Sequence, residues 1–122
     1  MTTIAIMQPY FAPYAGYFRL MEVADIFVVY DCVQFPRRGW VHRNKLSTSN
    51  GTMKWLTLPL LKQPQDIHIK DLLFLEEAQT LWTERLLPFQ HHHRSQDVWN
   101  TFSTIQGSPP QFIESLLRVC IF

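Results

Sequence analysis

Cysteine is scarce in this chain. Only Cys32 and Cys120 occur, far apart and in no CxxC pair, so neither a disulfide framework nor a cysteine metal knuckle is available, and a reducing, cytoplasmic setting is expected. Net charge is nearly absent as well. The 11 Lys and Arg against 10 Asp and Glu leave +1, which excludes a molecule drawn as a whole to nucleic acid or to an anionic membrane. Apolar runs are short: "TIAIM" near the N-terminus has no basic residue before it and is stopped by Gln8-Pro9, so neither a signal core nor a membrane span is expected. Internal repeats, low-complexity linkers, a Walker A loop, a G-x-S-x-G elbow, an H-E-x-x-H helix and a GxGxxG fingerprint are all missing. The three histidines His91 to His93 diverge in direction on any regular element, so they are expected in a polar loop, and no metal site is predicted.

What is present is a chain of 122 residues, 47% hydrophobic, enough for one domain over residues 1–122 with a modest core and too apolar for disorder. Residues 3–7 read as a short buried strand ended by proline. From Pro13, a tolerated first helical residue, Tyr14, Tyr17, Phe18, Met21 and Ala24 recur at helical steps. "DIFVVYD" (25–31) is a second apolar, β-branched run, so the opening predicts a right-handed β-α-β unit with parallel strands. "GWVHRNKL" and "TMKWLTLPL", separated by "STSNG", predict a β-hairpin excursion. Helices are predicted over 75–89 and from Pro109, the fold class being α/β with C-terminal helices.

Two segments invite a ligand. "QPYFAPYAGYF" (8–18) holds three tyrosines, two phenylalanines, two prolines and a glycine, a composition too aromatic for an ordinary loop and too rich in breakers for an ordinary helix. It leaves the first strand at its carboxyl end, where α/β sheets bind ligands. Tyr10, Tyr14 and Tyr17 are candidates to wall a pocket there, with Gly16 allowing close approach; packing of the helix on the sheet is the competing role, strongest for Phe18. The second segment runs from Cys32 to Gln65 without Asp or Glu, yet contains Arg37, Arg38, Arg43, Lys45, Lys54 and Lys62. Arginine forks suit phosphate or carboxylate and Trp40 suits stacking, so an anion site is predicted beside the alternative of a solvated basic face. Asp31 and Gln34 leave the second strand at the same edge. Cys32 has only Arg37 and Arg38 near it in sequence to depress its pKa, so a half-buried thiol is expected ahead of the alternative of a nucleophile.

Residues 7–44, "MQPYFAPYAGYFRLMEVADIFVVYDCVQFPRRGWVHRN", resemble the opening of the WbqC-like protein family. There, Q-P-Y-F-x-P-Y-x-G-Y-F is followed by a strand ending in Y-D-D-V-Q and by R-G-W-x-x-R-N; "KWLTLPL" is similar to the next segment. The resemblance implies that Gln8, Pro9, Tyr10, Pro13, Tyr14, Gly16, Tyr17, Asp31, Gln34, Arg38, Gly39, Trp40, Arg43 and Asn44 matter. It further implies a bacterial protein of surface-polysaccharide or O-antigen synthesis, with a transferase role on activated sugars or their acyl or aminoacyl decorations. The arrangement is also similar, by analogy alone, to the nucleotidylyltransferase fold.

The expected ligand is a nucleotide-activated or phosphorylated donor, held by Gln8, Tyr10, Tyr14, Gly16, Tyr17, Gln34, Arg37, Arg38, Trp40, Arg43, Asn44 and Lys45, with Asp31 as the sole catalytic carboxylate. No cofactor is named by the sequence. Two departures from the family pattern favour the alternatives of a non-catalytic binding module or an inactive fragment. Cys32 replaces the second Asp of Y-D-D-V-Q, and the family chain is longer, so a C-terminal half is expected to be missing. On that expectation Phe112, Ile113, Leu116, Leu117, Cys120 and Ile121 form an apolar helix stripe in need of cover, predicting a homo-oligomer through the C-terminal helix.

Overall fold

A computed structural model describes residues 1–92 and 95–121, the side chains of Cys120 and Ile121 excepted. The opening is the expected β-α-β unit. Strand β1 (Ile4–Met7) leads through helix α1 (Ala15–Val23) to β2 (Ile26–Val29), and the strands pair in parallel with Ile4 opposite Ile26 and Met7 opposite Val29. Asp25 fastens the start of the sheet: its carboxylate accepts from the Thr3 amide at 2.7 Å while its own amide donates to the Thr3 carbonyl. The two faces differ. Ala5 is buried, and Met7 and Phe27 pack on the core, with Phe27 meeting Tyr17 of α1 edge-on at 5.6 Å; Ile4, Ile6, Ile26 and Val28 stand exposed on the other face. Helix α1 begins two residues after Pro13, because Ala12 sits at a φ of +48° and Tyr14 is extended, so the chain turns before it coils.

Strands β3 (Arg43–Ser47) and β4 (Met53–Thr57) form the predicted hairpin, antiparallel with Lys45 opposite Trp55. Its turn uses Gly51 at a φ of +86°, where a side chain would be strained, and a hydroxyl–amide cluster of Thr48, Asn50 and Thr52. Three helices close the fold: α2 (Ala78–Leu86), continued by a 3-10 segment at Leu87–His92, then α3 (Gln96–Ser103) and α4 (Pro109–Ile121). Helix α3 has no counterpart in the sequence reading. Its start is fixed by Ser95, whose hydroxyl accepts from the Val98 amide at 3.1 Å.

The core joins the loop after β1 to these helices. Phe11 is fully buried against Trp82 and Phe102, at 5.7 Å from each ring, and the Trp82 indole donates to the Phe102 carbonyl at 2.9 Å. Phe112 of α4 meets Trp82 edge-on at 6.2 Å, and Ile113, Leu116 and Leu117 are buried with it. This corrects the expectation for α4. Its described stripe is covered by its own chain; Cys120 and Ile121, the rest of the predicted stripe, have side chains outside the described residues. Among the described residues, no helix is long and apolar enough to cross a membrane.

Candidate functional site

The loop between β1 and α1 is pinned at three places. The Phe11 amide donates to the Trp40 carbonyl at 3.1 Å, the Asn44 side-chain amide donates to the Ala12 carbonyl at 2.7 Å and the Phe11 carbonyl at 3.4 Å, and the Tyr17 hydroxyl donates to the Gln8 carbonyl at 2.7 Å. Asn44 is itself oriented, since its oxygen accepts from the Lys45 amide. With Phe11 anchored in the core, the loop holds Tyr10 and Tyr14 around a cavity of about 440 Å3, completed by Met7, Phe11, Pro13, Trp40 and Asn44. That volume falls in the range of small-molecule sites, and the lining is mostly aromatic with a few polar atoms, as such sites are. Tyr14 is 70% exposed. Its ring lies where a Cβ on Gly16 would collide with it, so the glycine serves as the seat of that ring.

Beside the cavity stands an aromatic pair. Trp40 lies 5.5 Å from Trp55 of β4 with the rings tilted by 32°. The Arg43 guanidinium sits 4.2 Å from the Trp55 ring centroid and the Lys45 ammonium 5.4 Å from it, while Arg43 Nε donates to the Gly39 carbonyl at 3.2 Å. Residues 43 and 45 share a face of β3 because strand side chains alternate. Neither cation makes an ion pair; the one recorded among the described residues joins Arg118 to Glu114. The result is a partly exposed indole platform with two uncompensated cations at its side.

Two titrating groups lie behind this surface. Burial, with Tyr10 adding to it, pushes the Tyr17 phenol up to about 12, so it is a neutral donor at every physiological pH. Burial and the neighbouring Arg43 hold the His42 imidazole down at about 4. Its Nδ1 is sealed from solvent without a hydrogen-bond partner, and its ring meets Phe35 edge-on at 4.7 Å.

The predicted residues therefore divide. Tyr10, Tyr14, Trp40 and Asn44 line the cavity, Gly16 seats Tyr14, Gln8 contributes a carbonyl to the pinning, and Arg43 and Lys45 join through Trp55. Tyr17, expected at a ligand, is instead 1% exposed in the core. Gln34, Arg37 and Arg38 lie apart, around a separate hollow with Pro36 and Gln65. There Gln34 donates to the Gln65 carbonyl at 3.0 Å, and Arg37 donates to the carbonyls of Gln63 and Pro64, each at 2.7 Å. Asp31 follows β2 half-buried, its backbone carbonyl accepting from the Lys70 amide, and its carboxylate is not part of the cavity lining. Cys32 is exposed and free, not half-buried as expected. Sequence reasoning missed Trp55, Met7 and Phe11. Trp55 had only a partial signal: it alternates with Leu56 in a predicted strand, and the burial of Leu56 in the structure is what puts Trp55 on the outer face.

Comparison with known proteins gives the following. The profile of the WbqC-like protein family matches residues 8–112. The chain is also similar to the uncharacterized protein Rv1507c of Mycobacterium tuberculosis, with 40% identity over 60 residues; that match spans 49% of this chain and 26% of the relative. No solved structure matches, so the likeness to nucleotidylyltransferases remains an analogy.

Proposed function

The chain belongs to the WbqC-like protein family, and from that membership we propose that its aromatic cavity binds the nucleotide-activated or phosphorylated donor of a transferase-like protein in bacterial surface-polysaccharide synthesis. The observation that carries the reading is the Trp40–Trp55 pair with Arg43 and Lys45 at its side, at the edge of a cavity walled by Tyr10 and Tyr14. A flat ring, either a base or the apolar face of a sugar, gains by stacking on an indole or phenol. The negative charge of a phosphate gains from two cations that no carboxylate already compensates. Arg43 keeps its terminal nitrogens for such a contact, because it is Nε that reaches Gly39.

Tryptophan fluorescence and calorimetry with a panel of nucleoside diphosphate sugars test this. Saturable binding should weaken by about 1.5–3 kcal/mol in Arg43→Ala, the worth of a charge-assisted hydrogen bond, and by a similar amount in Trp55→Ala through lost stacking. A panel that produces no saturable response would overturn the reading. A second reading, binding without chemistry, is favoured by a specific observation: no carboxylate lines the cavity, and Cys32 stands where the family pattern has its second Asp. Asp31, at the adjoining strand end, is the carboxylate that a transferase would have to use. Product formation abolished in Asp31→Asn, with binding retained, would decide for catalysis.

A further inference from the structure

A second cavity shares no lining residue with the first. It measures about 310 Å3, and its walls include Phe35, Leu58, Leu60 and Leu72, with Arg37, Lys62 and Arg85 around it and no Asp or Glu among the lining. Both arginines are held stiffly by main-chain carbonyls of the segment that shapes the cavity. Arg37 donates to Gln63 and Pro64, and Arg85 donates to Thr57, all at 2.7 Å. Neither arginine, nor Lys62, has a carboxylate partner among the described residues. A guanidinium anchored by one edge keeps its remaining N–H groups preorganised, so little side-chain entropy is lost when they meet an anion. His42 stands in the same wall with its sealed, partnerless Nδ1, the one buried side-chain polar atom without a partner among the described residues.

We propose that this cavity is a second binding site, for a small organic anion that places an apolar body between Phe35 and Leu72 and its carboxylate or phosphate against Arg37, Lys62 and Arg85. The aromatic cavity offers a stacking surface; this one offers an aliphatic floor ringed by positive charge, which selects a different class of ligand.

The test is calorimetry together with methyl NMR, using phenylbutyrate, phenyl phosphate, phenylbutanol and inorganic phosphate as probes. An organic anion should shift the methyl resonances of Leu58, Leu60 and Leu72 and leave that of Met7, in the aromatic cavity, in place. Lys62→Gln and Arg85→Gln should each weaken it roughly fivefold, with folding verified by an unchanged thermal transition in at least the Lys62 variant, whose side chain holds no loop. Tyr14→Ala should have no effect. The relative affinities of phenylbutyrate and phenyl phosphate identify the headgroup. Equal binding of phenylbutanol, shifts located at the aromatic cavity, or no shift at about millimolar probe would each overturn the proposal.

Discussion

Two residues with the same apparent credentials, Asn44 and Tyr14, have different work in the structure. Asn44 spends both ends of its amide on the protein, holding a loop whose Ala12 is at positive φ. Asn44→Ala should therefore cost about 1–2 kcal/mol of stability, through lost hydrogen bonds and a loosened loop, and weaken ligands only as a consequence. Tyr14, mostly exposed, should behave oppositely: Tyr14→Ala leaves stability within about 0.5 kcal/mol while ligand affinity falls. Equal stability losses in the two variants would contradict this division. His42 carries a pH dependence with a definite sign. Its folded pKa is about 4 against an ordinary 6.5, so between those values the unfolded chain binds more protons and stability is lost as pH falls. Allowing for the solvent exposure of the rest of the ring, the loss is on the order of 1 kcal/mol, about 4 °C in midpoint. It should appear as the difference between the wild-type and His42→Gln melting profiles across this range. Identical profiles would show that His42 charges freely in the fold.

At the scale of elements, the sequence spoke most clearly where one period dominated. β1, α1, β2, the hairpin and α4 were all predicted close to where they lie, because alternation and helical spacing were unbroken and proline or glycine marked the ends. Helix α3 escaped notice because it has only eight residues and none fully buried, the polar Gln96, Asp97, Asn100 and Thr101 separating its Val98, Trp99 and Phe102. The site divided for a related reason. The acid-free stretch is continuous in sequence, yet Arg37 and Arg38 precede the bend that leads into β3, whereas Arg43 and Lys45 follow it on a strand, so one charge run serves two surfaces. Composition records how much charge there is, and only the chain path records where it goes. Helix α1 supports a prediction of its own. Gly16 costs its first turn helix propensity, but a side chain there displaces an exposed ring and no backbone. Gly16→Ala should then raise stability by as much as about 0.5–1 kcal/mol while weakening ligand binding at the aromatic cavity by moving Tyr14. A loss of both together would mean that Tyr14 is confined by more than its seat.

For the molecule as a whole, the apolar surface expected on α4 is found on the opening sheet. Parallel strands occur almost always with both faces covered, and α1 covers one face here. The other presents Ile4, Ile6, Ile26 and Val28, which are 57%, 60%, 49% and 39% exposed, and bears no charged side chain among these four. Residues that are already wet have little burial energy to lose, whereas each buried aliphatic of α4 would leave a cavity. Ile6→Thr and Val28→Thr should thus change stability by no more than about 0.5 kcal/mol, against about 2–4 kcal/mol for Ile113→Ala or Leu117→Ala. The same contrast reassigns self-association. Contiguous aliphatic surface is costly to leave in water, so association at high concentration should run through β1 and β2. Ile6→Glu, which sets like charges face to face across a two-fold contact, should return the protein to monomer in light scattering, and Gln111→Glu, on the exposed side of α4, should not. A wild type that stays monomeric at high concentration, or an association insensitive to Ile6→Glu, would show that four exposed aliphatics on two short strands are too little surface to hold two molecules together.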